Sequence, residues 1–227
     1  MLVSVIIRTR NEERWIGRCL LAVTHQSLVD VEAVLVDNES TDRTREIARE
    51  YRIKECSISR GEFTYGRALN LGIQKSLGRY VAILSGHCIP ADNYWLAKLL
   101  ANFQDPGVAG VYGRQEPMLD TSSVDKRDLW TTFGIERRVQ RKDPFFHNAN
   151  CMIRRSVWER QPFDETVNGV EDRVWAKQVL ADGYTIVYEP AASVFHHHGI
   201  HQGRDDHRAD RVVQVIEMNL HGKVEGS

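Results

Sequence analysis

Apolar runs of strand length alternate with polar segments along the first half of the chain. The runs are LVSVII (2–7), VEAVLVD (31–37) and RYVAILS (79–85). The third run is apolar on both faces, which is typical of the buried centre of a parallel sheet. The pattern therefore predicts three strands, each followed by a polar loop at its carboxyl end.

Segments with helical periodicity follow these loops. After the first run, apolar residues recur every three or four positions and predict a helix with one buried face; they are Trp15, Ile16, Cys19, Leu20 and Val23. After the second run, Ser40 or Asp42 is expected to cap a helix that continues through Arg49. GRALNLGIQKSLG predicts a third helix, closed by Gly78.

The pattern changes beyond Pro90. An amphipathic helix over 91–105 is expected to stop at Pro106-Gly107, and VAGVYGRQEPM predicts a strand whose glycines allow the backbone to pack closely. Residues 120–147 carry few periodic signals, so we expect a mobile loop with helical pieces over a site.

Regular elements are predicted again from residue 148. GVEDRVWAKQVLADG predicts a helix that ends at Gly183, and YTIVYEPAASVFHHH predicts one or two strands. In the tail, residues 201–227, apolar positions from Val212 to Leu220 predict a docking helix.

The order of these elements predicts the fold class. Strands that alternate with helices indicate an α/β fold with a doubly wound, mostly parallel sheet flanked by helices, and such sheets bind ligands at the carboxyl ends of their strands. We expect a single domain over 1–227, with a nucleotide-binding half (1–90), an acceptor-binding half (91–200) and the tail (201–227). The site should combine RTRNE, DNEST and SGHC with residues of the second half.

Composition excludes several classes of protein. The 30 basic and 31 acidic residues leave a formal charge of -1, so the chain lacks the basic field that nucleic-acid binding requires. No apolar stretch approaches the roughly 20 residues that span a bilayer, and MLVSVII is typical of a strand rather than of an export signal. We expect a cytoplasmic protein, at the inner face of the membrane if its acceptor is a lipid. The four widely spaced cysteines are expected to be reduced thiols.

Neither G-x-G-x-x-G nor G-x-x-x-x-G-K-[ST] is present, so phosphate must be held in another way. Asp37 could accept hydrogen bonds from a base or a ribose, while Arg8, Arg10 and Arg67 could neutralise a diphosphate. The alternatives are a helix-capping aspartate and solvated arginines. The residue types alone leave both readings open.

The motifs together resemble a known family. VSVIIRTRNEERWIGRCL, VLVDNESTDRT, GRALNLGI, an apolar strand and GVEDRVWAKQVLADG follow one another as in the GT-A fold, family 2 glycosyltransferases. The resemblance covers about residues 1–198. It implies a set of nucleotide- and donor-binding residues: Arg8, Thr9, Arg10, Glu12, Asp37, Arg67, Asn70, Ser85 and Gly86.

The same resemblance gives Glu171-Asp172 a role. The pair matches the family's E-D motif at the start of a helix, which implies that Asp172 is the general base that takes a proton from the acceptor hydroxyl. The alternative is an acidic first turn that stabilises the helix dipole. For the sugar, amide and imidazole groups suit hydroxyls, and the candidates are His147, Asn148 and Asn150.

The family's D-x-D motif, whose last acid ligates a divalent cation, is replaced by Ser85-Gly86-His87. Either the metal has been lost, or His87 is a ligand. We favour the second reading because the resemblance implies that a histidine after the last strand can complete the metal site. Alternation along that strand would place His196 and His198 on one face, with His197 on the other, so His87 with His196 or His198 could hold the cation. Imidazole ligands favour Mn²⁺ or another transition metal over Mg²⁺. The alternatives are adventitious metal binding and a His87 that donates to a phosphate.

The expected activity is an inverting transfer of a single sugar from a nucleoside diphosphate-sugar, UDP-linked in the first instance, to an acceptor hydroxyl. The acceptor is a saccharide or is lipid-linked, as in surface polysaccharide or glycolipid biosynthesis, and the expected contacts include a peripheral membrane surface and a second copy of the chain. The Q-x-x-R-W signature of processive synthases is absent. The rivals are a catalytically silent nucleotide-sugar binding module and a sugar nucleotidyltransferase.

Overall fold

A computed structural model describes residues 1–199 and 213–214 of the chain. Residues 213–214 are helical. The rest of the predicted tail helix lies outside the described residues. No helix in the described part of the chain combines the length and the apolar character that crossing a membrane demands.

Within the described residues, nine strands form one sheet in the order β3-β2-β1-β4-β8-β6-β9-β5, with β7 paired to β9. Their bounds are β1 Val3–Thr9, β2 Val31–Asp37, β3 Lys54–Ser57, β4 Tyr80–Ser85, β5 Cys88–Pro90, β6 Val108–Pro117, β7 Arg138–Gln140, β8 Asn150–Arg154 and β9 Thr185–His196. The helices are α1 Ile16–Thr24, α2 Thr44–Ala48, α3 Tyr65–Gln74, α4 Trp95–Leu100, α5 Ser123–Thr132, α6 Arg155–Trp158 and α7 Glu171–Ala181, and a 3₁₀ turn over Ala101–Gln104 follows α4.

Helices cover both faces of the sheet, as expected for a doubly wound fold. Alternate residues of β1 point to opposite faces. Ile7 packs in the same core as Leu20 of α1 and Trp95 of α4, whereas Ile6 packs with Leu69 of α3 and Trp175 of α7. These side chains are almost fully buried, and each contributes about 1.5–3 kcal/mol of hydrophobic stabilisation.

The predicted α/β fold is confirmed, but the sheet is mixed rather than mostly parallel. Strands β3, β2, β1 and β4 are parallel. Strand β8 then pairs antiparallel with both β4 and β6, while β6 and β9 are parallel to each other. The parallel strands β1, β2 and β4 therefore end at the same edge of the sheet, where the first two polar loops and Ser85 lie.

Several boundaries differ from the predictions. Helix α3 ends at Gln74, not at Gly78; a Cβ at Gly78 would lie 2.4 Å from the backbone nitrogen of Ser4, so this glycine allows a close approach to β1. Helix α2 is shorter than predicted, and Asp42 rather than Ser40 accepts from its first turn, at the Thr44 backbone nitrogen (3.0 Å).

The second half also departs from its predictions in places. The helix predicted over 91–105 breaks into α4 and the 3₁₀ turn, and the segment 120–147 contains α5 and β7 rather than a loop with helical pieces alone. The prediction of a helix that ends at Gly183 is correct, because α7 ends at Ala181 and Gly183 adopts a positive φ of 87°. YTIVYEPAASVFHHH forms one strand, β9.

Candidate active site

A cavity of about 300 Å³ lies at the carboxyl ends of β1, β2 and β4. It draws its walls from both halves of the chain. The lining residues are Arg8, Thr9, Arg10, Glu12, Val36, Asn38, Phe63, Tyr65, Ser85, His87, His147, Asn148, Ala149, Gly169, Glu171, Asp172, His196 and His198. The cavity is therefore where the strand order and the second half were expected to place a ligand.

The loop after β1 forms one wall. Arg8 lies over the ring of Tyr65, with its guanidinium carbon 4.8 Å from the ring centroid. The Glu12 backbone nitrogen donates to Thr44 Oγ1 (2.6 Å), and the Asn11 backbone nitrogen donates to Ser40 Oγ (2.9 Å). These bonds hold the loops after β1 and β2 together.

Asp37 is fully buried at the end of β2 and is not part of the cavity wall, although its neighbours Val36 and Asn38 are. Its Oδ2 accepts from the Ser40 backbone nitrogen (3.0 Å), as a loop-capping aspartate does. Its Oδ1 has no hydrogen-bond partner among the described residues. One oxygen of this carboxylate is therefore unpaired, although the side chain has no exposed surface.

Glu171 and Asp172 begin α7 and are buried, with 3% and 7% of their surface exposed. Asp172 Oδ2 accepts from the Asn148 backbone nitrogen (3.3 Å), and the Asn148 side-chain amide donates to Glu171 Oε1 (3.2 Å). Burial, and after it the adjacent Asp172 carboxylate, raise the pKa of Glu171 to about 7 against the opposing effect of Arg8. Asn148 therefore orients the acidic pair, and Glu171 resists ionisation near neutral pH.

Three imidazoles meet on another wall. The Nε2 atoms of His87 and His196 lie 3.0 Å apart, their rings are stacked, and His198 completes a cluster whose ligand atoms all lie within 4.8 Å of one another. Glu12 Oε1 lies 2.6 Å from His87 Nδ1. The predicted alternation is correct, because His197 points away and its ring lies 4.9 Å from that of Trp15.

The donor set of this cluster fits a transition-metal ion. Burial holds the pKa of His196 well below its ordinary value, the nearby His87 lowers it further, and burial also lowers the pKa of His198. Both imidazoles are therefore neutral at physiological pH, as metal ligands must be. A carboxylate that accepts from the far nitrogen of a ligating histidine is the usual outer partner of such a ligand, and Glu12 is placed for that role beside His87.

Several polar atoms of cavity-lining residues are buried without a hydrogen-bond partner in the described part of the chain. Those of lining residues are Arg8 Nε, Thr9 Oγ1, Asn38 Oδ1, Glu171 Oε2 and His196 Nδ1. Buried polar groups are normally paired, so these five atoms are available to a polar ligand in the cavity.

Besides Asp37, four of the predicted site residues do not line the cavity, and their partners explain why. Arg67 pairs with Glu165 (Nε–Oε2, 3.0 Å). Asn70 is saturated, since its amide donates to the Phe163 carbonyl and Glu165 and accepts from Trp158. These two residues join α3 to the segment before α7.

Gly86 and Asn150 form hydrogen bonds that stabilise the sheet and its adjoining loops rather than lining the cavity. The Gly86 backbone nitrogen donates to the Arg8 carbonyl (2.9 Å), and a Cβ at Gly86 would lie 3.0 Å from Thr9 Oγ1. Asn150 accepts from the Trp95 indole and donates to the carbonyls of Arg114 and Ala192, across the irregular part of the β6–β9 ladder. Its role is to satisfy backbone groups that this irregularity leaves unpaired.

Other cavity residues were not predicted from the sequence. Phe63 and Tyr65 form an edge-to-face pair (centroids 5.2 Å apart) at the start of α3, and Gly169 precedes α7 with a φ of 82°. The aromatic residues come directly before GRALN, and this proximity to a recognised motif was the available signal. Two cysteines lie beside the site: Cys88 follows His87, and the Cys151 thiol lies 3.5 Å from Asn148 Oδ1.

Comparison with known proteins supports the same reading of the fold. Glycosyltransferase AglE of Haloferax volcanii is 30% identical over 195 residues, which are 82% of this chain and 64% of that protein. O-antigen chain rhamnosyltransferase WbaN of Salmonella anatum is 30% identical over 208 residues, 86% of this chain and 66% of that protein. The chain thus spans about two thirds of the length of these relatives.

Among solved structures, the mannosyltransferase PcManGT from Pyrobaculum calidifontis in complex with GDP-Man and Mn²⁺ superposes with a TM-score of 0.75 at 23% identity, covering 99% of this chain and 65% of that one. The sequence profile described as "Glycosyl transferase family 2" matches residues 4–161. Because this match takes in most of the chain, and the strand order and the relatives agree with it, the chain belongs to glycosyl transferase family 2 and has the GT-A fold.

Proposed function

We propose that the chain is an inverting, metal-dependent glycosyltransferase that moves one sugar from a nucleoside diphosphate-sugar to an acceptor hydroxyl. The observation that carries this proposal is the meeting of a buried carboxylate pair and a three-imidazole cluster in one cavity rich in unpaired polar atoms. The cavity thus offers a base for a hydroxyl and ligands for a cation that binds a diphosphate.

The loop after β1 would hold the nucleotide diphosphate. Arg8 and Arg10 line the cavity and supply positive charge. Asp37 Oδ1, which has no partner in the described residues, would accept from the base or the ribose once its buried carboxylate becomes accessible. PcManGT was solved with GDP-Man, and Staphylococcus aureus TarS with UDP-GlcNAc. These neighbours support a nucleoside diphosphate-sugar as the donor class, and we take a UDP-sugar as the first candidate.

Asp172 would act as the general base. The acceptor oxygen attacks the anomeric carbon while Asp172 takes the hydroxyl proton, and the electron pair of the breaking carbon–oxygen bond leaves with the nucleoside diphosphate. One displacement inverts the anomeric configuration. Asn148 fixes the direction of the Asp172 carboxylate. The raised pKa of Glu171 reduces the negative charge of its carboxyl group, and therefore its repulsion of the Asp172 carboxylate.

His87, His196 and His198 would hold the cation, and Mn²⁺ suits their imidazoles better than Mg²⁺ does. When bound, the cation supplies Lewis-acid stabilisation of the departing diphosphate. Glu12 keeps the His87 ring oriented. His147 and Asn148 would contact the sugar from the opposite wall.

The relative WbaN, an O-antigen chain rhamnosyltransferase, supports an acceptor in surface polysaccharide or glycolipid assembly. The O-antigen rhamnosyltransferase in particular has a saccharide product by its name. We therefore propose a saccharide or lipid-linked acceptor.

Asp172→Asn tests the proposal. A thermal-shift screen of UDP-, GDP-, dTDP- and CDP-sugars with Mn²⁺ first selects the donor, because a bound ligand raises apparent stability by mass action. Release of nucleoside diphosphate is then measured, and we expect the substitution to lower turnover by about 10²- to 10⁴-fold, the usual contribution of a general base. Donor binding should be unchanged.

Asp182→Asn, at the other end of α7, is the matched control and should keep full turnover. Equal turnover of the two variants would remove Asp172 from the mechanism. Donor binding without turnover by the unmodified chain would favour a silent binding module. Pyrophosphate release from a nucleoside triphosphate would favour a nucleotidyltransferase.

A further inference from the structure

A second depression, which we call the apolar groove, has a volume of about 530 Å³ and lies outside the cavity. Its apolar walls come from α1, β5, the segment after β6, α5 and the end of β9. They are Trp15, Ile89, Met118, Leu119, Trp130 and Phe195. Leu119 is 99% exposed and Trp130 is 55% exposed. Large apolar side chains exposed together mark a binding surface rather than a core.

Positive charge borders the groove. Arg14, Arg18 and Lys126 line it together with one acid, Asp120, which pairs with Arg14. The Lys126 ammonium donates to the Leu119 carbonyl (2.9 Å). Within the described ranges, neither Arg18 nor Lys126 forms an ion pair, so two cations keep their charge available for an anion.

The end of β9 separates the groove from the cavity. Successive side chains of a strand point to opposite sides. His196 and His198 therefore line the cavity, whereas Phe195 lines the groove and His197 faces Trp15 and Asp120 on that side. The two depressions share one strand end, and each has its own set of side chains.

We propose that the apolar groove binds a single lipid phosphate, with the hydrocarbon chain against Trp130, Leu119 and Phe195 and the phosphate against Arg18 and Lys126. An apolar chain matches the walls by the hydrophobic effect, and the two uncompensated cations match a phosphate in charge. A nucleotide or a sugar would leave its polar groups against these apolar walls. The site is separate from the cavity, so its binding does not depend on transferase activity.

Calorimetric titration with dodecyl phosphate, kept below the concentration at which it aggregates, tests the proposal on the full chain. We expect saturable binding, and we expect Arg18→Glu and Trp130→Ala each to weaken it by about tenfold, since one carries the charge match and the other is a large aromatic contact. Both residues are exposed, so both variants should fold. Arg52→Glu and Leu77→Ala change exposed residues that do not line the groove, and both variants should bind as the unmodified chain does.

Three comparison ligands give the proposal clear ways to fail. Dodecyltrimethylammonium, with the same chain and the opposite charge, should bind at least about tenfold more weakly, and inorganic phosphate should not compete at equal concentration. Equal binding of the cationic lipid, equal competition by phosphate, or no effect of Trp130→Ala would each overturn the proposal. Binding to anionic vesicles without binding to the monomer would assign the surface to a bilayer instead.

Discussion

At the scale of single residues, the site shows which roles a sequence can reveal. Period-2 alternation was enough to separate His196 and His198 from His197, because a strand fixes the direction of each side chain. The bond between His87 and Glu12 could not be predicted, because the two residues are 75 positions apart and meet only through the loops after β4 and β1. Arg67 and Asn70 were assigned to the ligand, yet both have protein partners that no local pattern reveals.

The alternation leads to a prediction about metal binding. His196→Ala removes a buried imidazole of the cluster and should lower the affinity for Mn²⁺ by about tenfold or more, whereas His197→Ala should leave it unchanged. Electron paramagnetic resonance of free Mn²⁺ measures both affinities. A comparable loss in the two variants would mean that the triple histidine binds the ion without a built site.

Glu171 links burial to pH. Because its folded-state pKa is raised to about 7 from 4.5, its contribution to stability is fully present below the unfolded value and is lost as the pH rises through about 7. Glu171→Gln keeps the acceptor for Asn148 and removes the ionisation. We expect the thermal midpoint of the variant minus that of the unmodified chain to become more positive as the pH rises from about 5 to about 8. Midpoints that change in parallel over this range would contradict the raised pKa.

At the scale of elements, glycine occupies two predicted helix ends for two different physical reasons. The sequence predicted helix ends at both Gly78 and Gly183, and only the second is one. Gly183 adopts a positive φ after α7, as a closing glycine does, whereas Gly78 is a glycine because the backbone of β1 comes too close for a Cβ. Such a long-range contact leaves no mark in the local pattern.

Gly183→Ala tests the role of backbone conformation. No atom lies within 4 Å of a Cβ at this position, so the cost comes only from the left-handed backbone and should be about 1 kcal/mol in the free energy of unfolding. Gly61→Ala is the matched control, since it also has open space and lacks a positive φ. Denaturant unfolding gives both values, and an equal effect of the two substitutions would exclude the conformational explanation.

At the scale of the whole molecule, the two predicted halves share one sheet. The antiparallel β4–β8 pair joins them, and the cavity lies across the join. We propose on this ground that residues 1–199 fold as one domain. The alternation of strands and helices could predict the parallel first half, but the antiparallel strands of the second half depend on pairings across long stretches of chain, which periodicity does not encode.

The reactivity of the four cysteines can report local opening of the structure. Cys19, Cys88 and Cys151 are fully buried and burial raises the pKa of all three, while Cys56 is only half-buried. Cys88 and Cys151 lie on opposite faces of the sheet. Since the thiolate is the form that reacts with alkylating reagents, modification of Cys88 or Cys151 requires local opening beside His87 or beside Asn148.

Iodoacetamide should therefore label Cys56 first. A nucleoside diphosphate with Mn²⁺ should slow labelling of Cys88 and Cys151 and leave Cys56 as the internal reference, with mass spectrometry of the intact and digested chain as the readout. If the buried thiols reacted as fast as Cys56, the interior would be far more permeable than its packing implies. Otherwise, the alkylation rates of Cys88 and Cys151 relative to Cys56 measure how much a bound ligand suppresses local opening on each side of the cavity.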